Sequence, residues 1–205
     1  ADQVGPQSVV DVVNSVGIPT DTPGLDPSPS VPLGNANVSP LQMASAYATF
    51  AAEGQYSAPF SVEQVSNASG ALLYQAEPQS VQVMEPDVAN EVNYALSQVV
   101  EADGGTAYVA RGLGRPAAAK TGTSEDNVTA WFVGYTPQLS TAVMFFRPEK
   151  DGGQASLNGV AYQSTFTGGY YPGQIWTNYM LAALEGEPVL EFPAPPVPVV
   201  TSTPT

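Results

Sequence analysis

Apolar residues recur every three or four positions in four segments of the chain, which is the spacing of one face of an α-helix. The segments lie at about 6–17, 39–54, 86–104 and 174–184. Each of the first three begins beside a proline and ends at a glycine, as helices commonly do. The pattern therefore predicts four helices.

Two of these helices permit more detailed predictions. Ser39 precedes the second helix and Gln42 follows three residues later, which is the sequence signature of a capping box. In the third helix, valine and leucine positions at helical spacing should form the inward face. These positions are Val88, Val92, Leu96 and Val99.

Strand signals lie between and after the helices. Residues 60–75 should form a hairpin that turns at Asn67 to Gly70. Three further strands are predicted in close succession, with Pro137-Gln138 as a tight connection, at 117–123, 129–137 and 139–146. Helices come first, then an antiparallel meander, then a covering helix, so we expect an α+β fold with an antiparallel sheet flanked by helices.

Composition separates the chain into two parts. Residues 1–192 have the apolar content of one domain, whereas 193–205 are rich in proline and should form an extended or disordered tail. A long surface loop rich in proline, glycine and serine is predicted between the first two helices. No apolar run approaches the length of a membrane span.

Charge and missing residue types exclude several functions. The formal net charge is −14 and only five residues are basic, so the chain cannot offer a phosphate-binding patch and no nucleic acid is expected as a partner. The chain has no cysteine and no histidine. A thiol nucleophile and a Ser-His-Asp triad are therefore excluded within it, and neither metal nor cofactor is predicted.

The strand at 117–123 carries the candidate chemistry. Three alanines precede Lys120, and Thr121, Gly122 and Thr123 follow it. A lysine charge, two hydroxyls and a glycine that lets another backbone approach would suit a peptide-like ligand with a terminal anion. Taken alone, the four residues favour a solvated edge lysine before a turn over such a binding site.

The longer sequence around Lys120 favours the ligand-binding interpretation instead. The stretch RPAAAKTGTSEDNVTAWFVGYTPQLSTAV resembles the Lys-Thr-Gly region of class A, bifunctional penicillin-binding proteins, in the serine DD-transpeptidase and β-lactamase-like superfamily. Residues 38–65, 84–107 and 168–180 are similar to later helices and a hairpin of that family. The resemblance runs from about residue 1 to residue 192 and implies the C-terminal part of a transpeptidase domain.

The resemblance also implies roles for individual residues. Lys120 resembles the cation that completes the proton network, and Thr121 and Thr123 resemble donors to the terminal carboxylate of a stem peptide or β-lactam. The N–H of Thr123 would belong to the oxyanion hole. Gly122 completes the motif, and Ser124 would line the same cleft. The expected activity is peptidoglycan cross-linking through a serine acyl-enzyme, without a cofactor.

One part of the family pattern is missing. The only lysines are Lys120 and Lys150, so a Ser-x-x-Lys motif would need serine at positions that hold Ala117 and Arg147. The single Ser-x-Asn, at 156–158, follows the Lys-Thr-Gly motif instead of preceding it, and we interpret it as a chance match. We therefore expect the nucleophile to lie upstream, the fold to be incomplete and this chain alone to be inactive.

The resemblance extends to the parent protein and its surroundings. It implies an extracytoplasmic protein, anchored in the bacterial membrane by an N-terminal segment and carrying peptidoglycan glycosyltransferase activity. Its partners would be stem peptides derived from lipid II, β-lactams and the upstream part of its own domain. Two alternatives stay open: a non-catalytic binding or scaffold module with this fold, and a single-function class B transpeptidase.

A dinucleotide-binding pattern can be set aside. Residues 112–117 match G-x-G-x-x-A, but that fingerprint must follow a strand and open a helix. Here it precedes a strand, and Pro116 favours extended backbone before it.

Overall fold

A computed structural model describes residues 3–196 of the chain. Within them, four α-helices occupy Pro6–Ser15 (α1), Pro40–Ala51 (α2), Pro86–Glu101 (α3) and Tyr171–Ala183 (α4). The four predicted helices are thus confirmed. The last one begins three residues before its predicted start, because Pro172 fits the first turn of a helix. None of these helices combines the length and hydrophobicity needed to span a bilayer.

Among residues 3–196, eight strands form three antiparallel sheets. They are Gln55–Ser57 (β1), Gln64–Ser66 (β2), Leu72–Gln75 (β3), Ser80–Gln82 (β4), Ala118–Thr123 (β5), Thr129–Tyr135 (β6), Ser140–Pro148 (β7) and Gln154–Ala155 (β8). The predicted hairpin corresponds to β2 and β3, and the three predicted strands correspond to β5, β6 and β7. The pairing of β1 with β4 was not predicted, because each strand has only three residues and one apolar side chain, too few to reveal an alternation.

The main sheet has the strand order β5-β6-β7-β8. On one face, α4 packs through Trp176, which is fully buried and donates its indole N–H to the carbonyl oxygen of Gly134 at 3.1 Å. A Cβ atom on Gly134 would lie only 2.9 Å from the Trp176 ring. Glycine at this position therefore lets the helix approach the sheet closely.

The opposite face of the sheet meets α2 and α3 through a polar contact. The Tyr135 hydroxyl donates to Asn93 Oδ1 at 2.7 Å, and Asn93 Nδ2 donates to the carbonyl oxygen of Phe50 at 3.0 Å. The Tyr47 ring meets the Tyr135 ring edge-on, with centroids 6.1 Å apart. Asn93 thus joins strand β6 to the end of helix α2.

The predicted inward face of α3 is wrong at Val88, which is 47% exposed. The buried residues of this helix are Ala89, Asn90, Asn93 and Val100. Asn93 occupies the inward face because its side chain finds hydrogen-bond partners there, which an apolar pattern cannot reveal. The contacts of Asn93 do not explain the burial of Asn90, whose Oδ1 has no hydrogen-bond partner within residues 3–196. The capping box of α2 is confirmed: Gln42 N donates to Ser39 Oγ, and Ser39 N donates to Gln42 Oε1.

Two arginines stabilise helix C-termini. The Arg111 guanidinium donates to the carbonyl oxygens of Val100, Glu101 and Ala102 at 2.8 to 3.1 Å, at the end of α3. The Arg115 guanidinium donates to three carbonyl oxygens after α4. These belong to Leu184, Glu187 and Pro188, at 3.2 to 3.3 Å. Cations at these ends satisfy carbonyls that have no partner within the helix.

The segment after α4 returns to the body of the domain. The Phe192 ring packs edge-on against Tyr135, with centroids 5.6 Å apart. Pro193, Ala194 and Pro195 line a cavity of about 370 Å³ together with residues of α3. The rest of the predicted tail, 197–205, lies outside the described residues.

Partly buried Tyr47 and fully buried Tyr135 predict a loss of stability at alkaline pH. Burial raises the pKa of Tyr47 from 10 to about 12, and burial with the neighbouring Tyr47 raises the pKa of Tyr135. The unfolded chain loses these protons near pH 10 while the folded chain keeps them. The contribution of these two tyrosines to the free energy of unfolding is therefore fully present below pH 10. It decreases as the pH rises towards 12.

We expect Tyr47→Phe to reduce this loss by up to about 1.4 kcal/mol per pH unit, since it keeps the ring and removes the ionising hydroxyl. Urea unfolding followed by tryptophan fluorescence across this pH range measures the effect. Tyr162→Phe is the matched control, because Tyr162 is fully exposed. An identical pH dependence in the two variants would contradict the prediction.

Candidate functional site

Strand β5 is the edge strand of the main sheet; it begins in the core and ends at the surface. Ala118 and Ala119 are fully buried, whereas Lys120 and Thr123 are exposed and Thr121 is half-buried. In the sheet order β5 is terminal, so within residues 3–196 only β6 pairs with it. The buried alanines fix the strand, and the motif that follows them reaches solvent along an unpaired edge.

The backbone direction at this edge follows from the β5–β6 pairing. Ser124 N–H donates to the carbonyl oxygen of Thr129 at 3.1 Å, towards β6. Successive residues of a strand direct their N–H and C=O groups to opposite edges, so the groups of Thr123 and Thr121 point to the open side. Consistent with this direction, Lys120 Nζ donates to the carbonyl oxygen of Thr121 at 2.6 Å.

Thr121 and Thr123 lie on the face of β5 opposite to Lys120. Each of their hydroxyl groups has a hydrogen-bond neighbour there. Thr121 Oγ1 lies 2.7 Å from Thr106 Oγ1, and either hydroxyl can be the donor. Thr123 Oγ1 accepts a hydrogen bond from Gly168 N at 3.2 Å. The two side chains are therefore oriented before any ligand arrives.

Gly168 and Gly169 pack closely against this face of the strand. A Cβ on Gly168 would overlap the carbonyl oxygens of Trp131 and Gly122, and a Cβ on Gly169 would overlap the carbonyl oxygen of Thr106. Only glycine permits such close backbone contact. Thr106 and this glycine pair were not identified as site residues from the sequence, although Gly-Gly is a known signal for close approach.

Gly122 leaves a bare patch on the Lys120 side of the strand. It lies opposite Trp131 in the β5–β6 register, and an added Cβ would lie 3.3 Å from Trp131 Cβ. The absence of a side chain there exposes the strand backbone next to Lys120. A ligand backbone could approach this surface closely.

Ser124 closes the connection between β5 and β6. Its Oγ accepts a hydrogen bond from Thr129 N at 2.9 Å, and lies 3.4 Å from the Thr129 carbonyl oxygen. The hydroxyl is thus engaged with backbone groups, at the end of the motif.

The Ser-x-Asn sequence at 156–158 holds a loop in place. Ser156 Oγ donates to the carbonyl oxygen of Asp126 at 2.6 Å, and Asn158 Oδ1 accepts from Phe166 N at 3.0 Å. Leu157 is buried. Ser156 thereby attaches the segment to the β5–β6 connection.

The open edge of β5 presents an ammonium group, two hydroxyls and backbone N–H groups within one short stretch of chain. Such donors suit a carboxylate or an oxyanion. No cluster of three or more potential metal-ligating side chains occurs in the described part of the chain. The 205 residues contain no lysine placed to activate a serine in a Ser-x-x-Lys motif.

Comparison with known proteins identifies the relatives of this chain. A family model described as penicillin binding protein transpeptidase domain matches residues 3–165. Penicillin-binding protein 1A of Mycolicibacterium smegmatis is 37% identical over 93% of this chain. The protein of the same name from Mycobacterium tuberculosis is 34% identical over 93%. The chain spans about a quarter of the length of these two relatives (26% and 25%).

Solved structures show the same fold. The penicillin-binding protein PonA1 from Mycobacterium tuberculosis superposes with a TM-score of 0.79 at 32% identity, over 98% of this chain and 58% of that one. Its complex with penicillin V gives a TM-score of 0.72, over 93% of this chain and 53% of the other. Penicillin-binding protein 1A from Haemophilus influenzae, at 21% identity, shares the fold with a TM-score of 0.79 over 95% of this chain and 33% of that one.

The predicted α+β architecture and the predicted family are both confirmed by these matches. They cover most of the chain, including the strand that carries Lys120. The chain belongs to the penicillin-binding protein transpeptidase domain family.

Proposed function

We propose that this chain forms one wall of the active site of a serine D-Ala-D-Ala transpeptidase that cross-links peptidoglycan. The observation that carries the proposal is the open edge of β5. There Lys120, the hydroxyls of Thr121 and Thr123 and the outward N–H of Thr123 come together beside Gly122. This arrangement supports binding of an extended peptide that ends in a carboxylate.

The reaction has two acyl transfers. A serine Oγ attacks the carbonyl carbon of the penultimate D-alanine, and the terminal D-alanine leaves with a proton as the acyl-enzyme ester forms. An amine of a neighbouring stem peptide then attacks the ester carbonyl, which forms the cross-link and returns the serine hydroxyl. Splitting the transfer in this way is covalent catalysis. A β-lactam enters the first step as a substrate analogue.

Each residue of the motif has a task in this scheme. The outward N–H of Thr123 donates to the oxyanion that develops on the attacked carbonyl. Lys120 supplies positive charge and helps to complete the proton network around the serine. Thr121 and Thr123 donate to the terminal carboxylate. Gly122 lets the ligand backbone lie against the strand, and Ser124 lines the end of the cleft.

The nucleophile belongs to sequence upstream of this chain in our proposal. Neither lysine of the chain lies three residues after a serine, so the chain alone is inactive. The partner is then the upstream part of the same domain. Strand β7 supports this, because β8 pairs with it only at Arg147 and Pro148, which leaves most of its outer edge without a partner among the described residues.

The parent protein, in this proposal, is a class A penicillin-binding protein. It carries a glycosyltransferase as well, acts outside the cytoplasm on glycan derived from lipid II, and is anchored by an N-terminal segment. Residues 1–192 form the transpeptidase portion and 193–205 a tail. The identities of 37% and 34% to two relatives named penicillin-binding protein 1A support this assignment over a class B enzyme. The complex of PonA1 with penicillin V supports β-lactam binding.

A second candidate is a non-catalytic binding or scaffold module with the transpeptidase fold. The absence of a Ser-x-x-Lys motif from all 205 residues favours it if no upstream serine completes the site. The two candidates differ in whether the full protein forms a covalent adduct with a β-lactam.

Fluorescent penicillin separates the candidates. We expect covalent labelling of the full protein, on a serine outside residues 1–205, and no labelling of the isolated chain. Mass spectrometry of the digested adduct locates the modified serine. Labelling of the isolated chain would contradict the upstream nucleophile, and an unlabelled full protein would support the scaffold module.

The two lysines provide a matched test of the motif. In the full protein, we expect Lys120→Ala to lower the acylation rate by penicillin V at least about 100-fold, because a charge beside the reacting groups is lost. Lys150 lies in the exposed turn between β7 and β8, so Lys150→Ala should leave the rate unchanged. Similar rates in the two variants would refute the assigned role of Lys120.

A further inference from the structure

Each of the two threonine hydroxyl oxygens of β5 lies beside a group that can donate a hydrogen bond to it. At Thr123 the donor is unambiguous, because the Gly168 N–H can only donate. At Thr121 the neighbour is the Thr106 hydroxyl, 2.7 Å away. An oxygen that already accepts a hydrogen bond leaves its own O–H free to donate elsewhere.

We propose that Thr106 is a positioning residue, which donates to Thr121 Oγ1 and thereby directs the Thr121 O–H at the carboxylate of the ligand. This inference rests on the proposed function, in which Thr121 binds that carboxylate. It adds a residue from outside the Lys-Thr-Gly-Thr strand to the carboxylate site. In this arrangement the Thr106 hydroxyl donates to the Thr121 oxygen, just as the Gly168 N–H donates to the Thr123 oxygen.

The direction of the hydrogen bond follows from the chemistry of the ligand. A carboxylate can only accept, so Thr121 must use its single proton towards the ligand. The short contact between the two hydroxyls can then persist only if Thr106 is the donor. Successive hydroxyl donors polarise one another, which strengthens the final hydrogen bond to the anion.

The backbone around Thr106 holds its hydroxyl in position. Ala107 is fully buried, and its N–H donates to the carbonyl oxygen of Val99 at 3.0 Å. Gly105 N–H donates to the carbonyl oxygen of Ala102 at 2.9 Å. On the other side, Gly169 lies directly against the Thr106 carbonyl. Thr106 itself is exposed, so the hydroxyl pair stands at the surface where a ligand can reach it.

The test uses the full protein with Thr106→Val and Thr106→Ser. Valine keeps the shape of threonine without the hydroxyl, and serine keeps the hydroxyl. Stopped-flow acylation separates the dissociation constant of the encounter complex from the acylation rate constant. Penicillin V and its methyl ester serve as ligands with and without a carboxylate. Tyr108→Phe, an exposed change in the same segment, is the control variant.

With penicillin V, we expect Thr106→Val to weaken the encounter complex by about threefold to tenfold, with an unchanged acylation rate constant. Thr106→Ser should restore binding to near the unsubstituted value. With the methyl ester, Thr106→Val should weaken the encounter complex less than with penicillin V, because a neutral ester carbonyl, a weaker acceptor, replaces the carboxylate that Thr121 binds. A general structural defect would instead weaken both ligands alike.

Three results would overturn the inference. One is an unchanged encounter complex for Thr106→Val with penicillin V, and another is an equal loss with the methyl ester. If the unsubstituted protein shows no acylation, the proposed function fails and this inference fails with it. The first two results leave the proposed function standing, so the two failures are distinguishable.

Discussion

The antiparallel pairing of β5 with β6 is the constraint on which the rest of the site depends. It sets which backbone groups of the motif face the open edge and which side chains face each side of the sheet. A shift of one residue would turn the Thr123 N–H inwards and exchange the faces of Lys120 and Thr121. Buried alanines before the motif, and Gly122 opposite Trp131, hold this register.

The chain has a net charge of −14 and only five basic residues, and three of these differ in the groups that they contact. Arg111 and Arg115 are committed to backbone carbonyls at the ends of α3 and α4. Their positions lie just before β5, so they also fix the strand relative to both helices. Lys120 differs from them, because its ammonium group contacts a carbonyl at an open edge rather than at the end of a helix.

Sequence reasoning predicted the helices, the hairpin and the central strands, because each has a strong local signal: periodicity, a cap or a turn. It did not predict features that depend on distant partners. Asn93 faces inwards because Tyr135 lies opposite it, and β1 pairs with β4 across more than twenty residues. Thr106 has no local signal, since its hydroxyl contact is with Thr121, fifteen residues later. The strand motif was identified because it resembles a long family segment, whereas its surroundings required the fold.

A crystal structure of the full protein acylated by penicillin V tests the central claim most directly. Our account predicts a covalent bond to a serine upstream of this chain and the β-lactam carbonyl oxygen at the N–H of Thr123. The carboxylate should lie within hydrogen-bonding distance of the Thr121 and Thr123 hydroxyls. An adduct that does not touch the open edge of β5 would contradict the account.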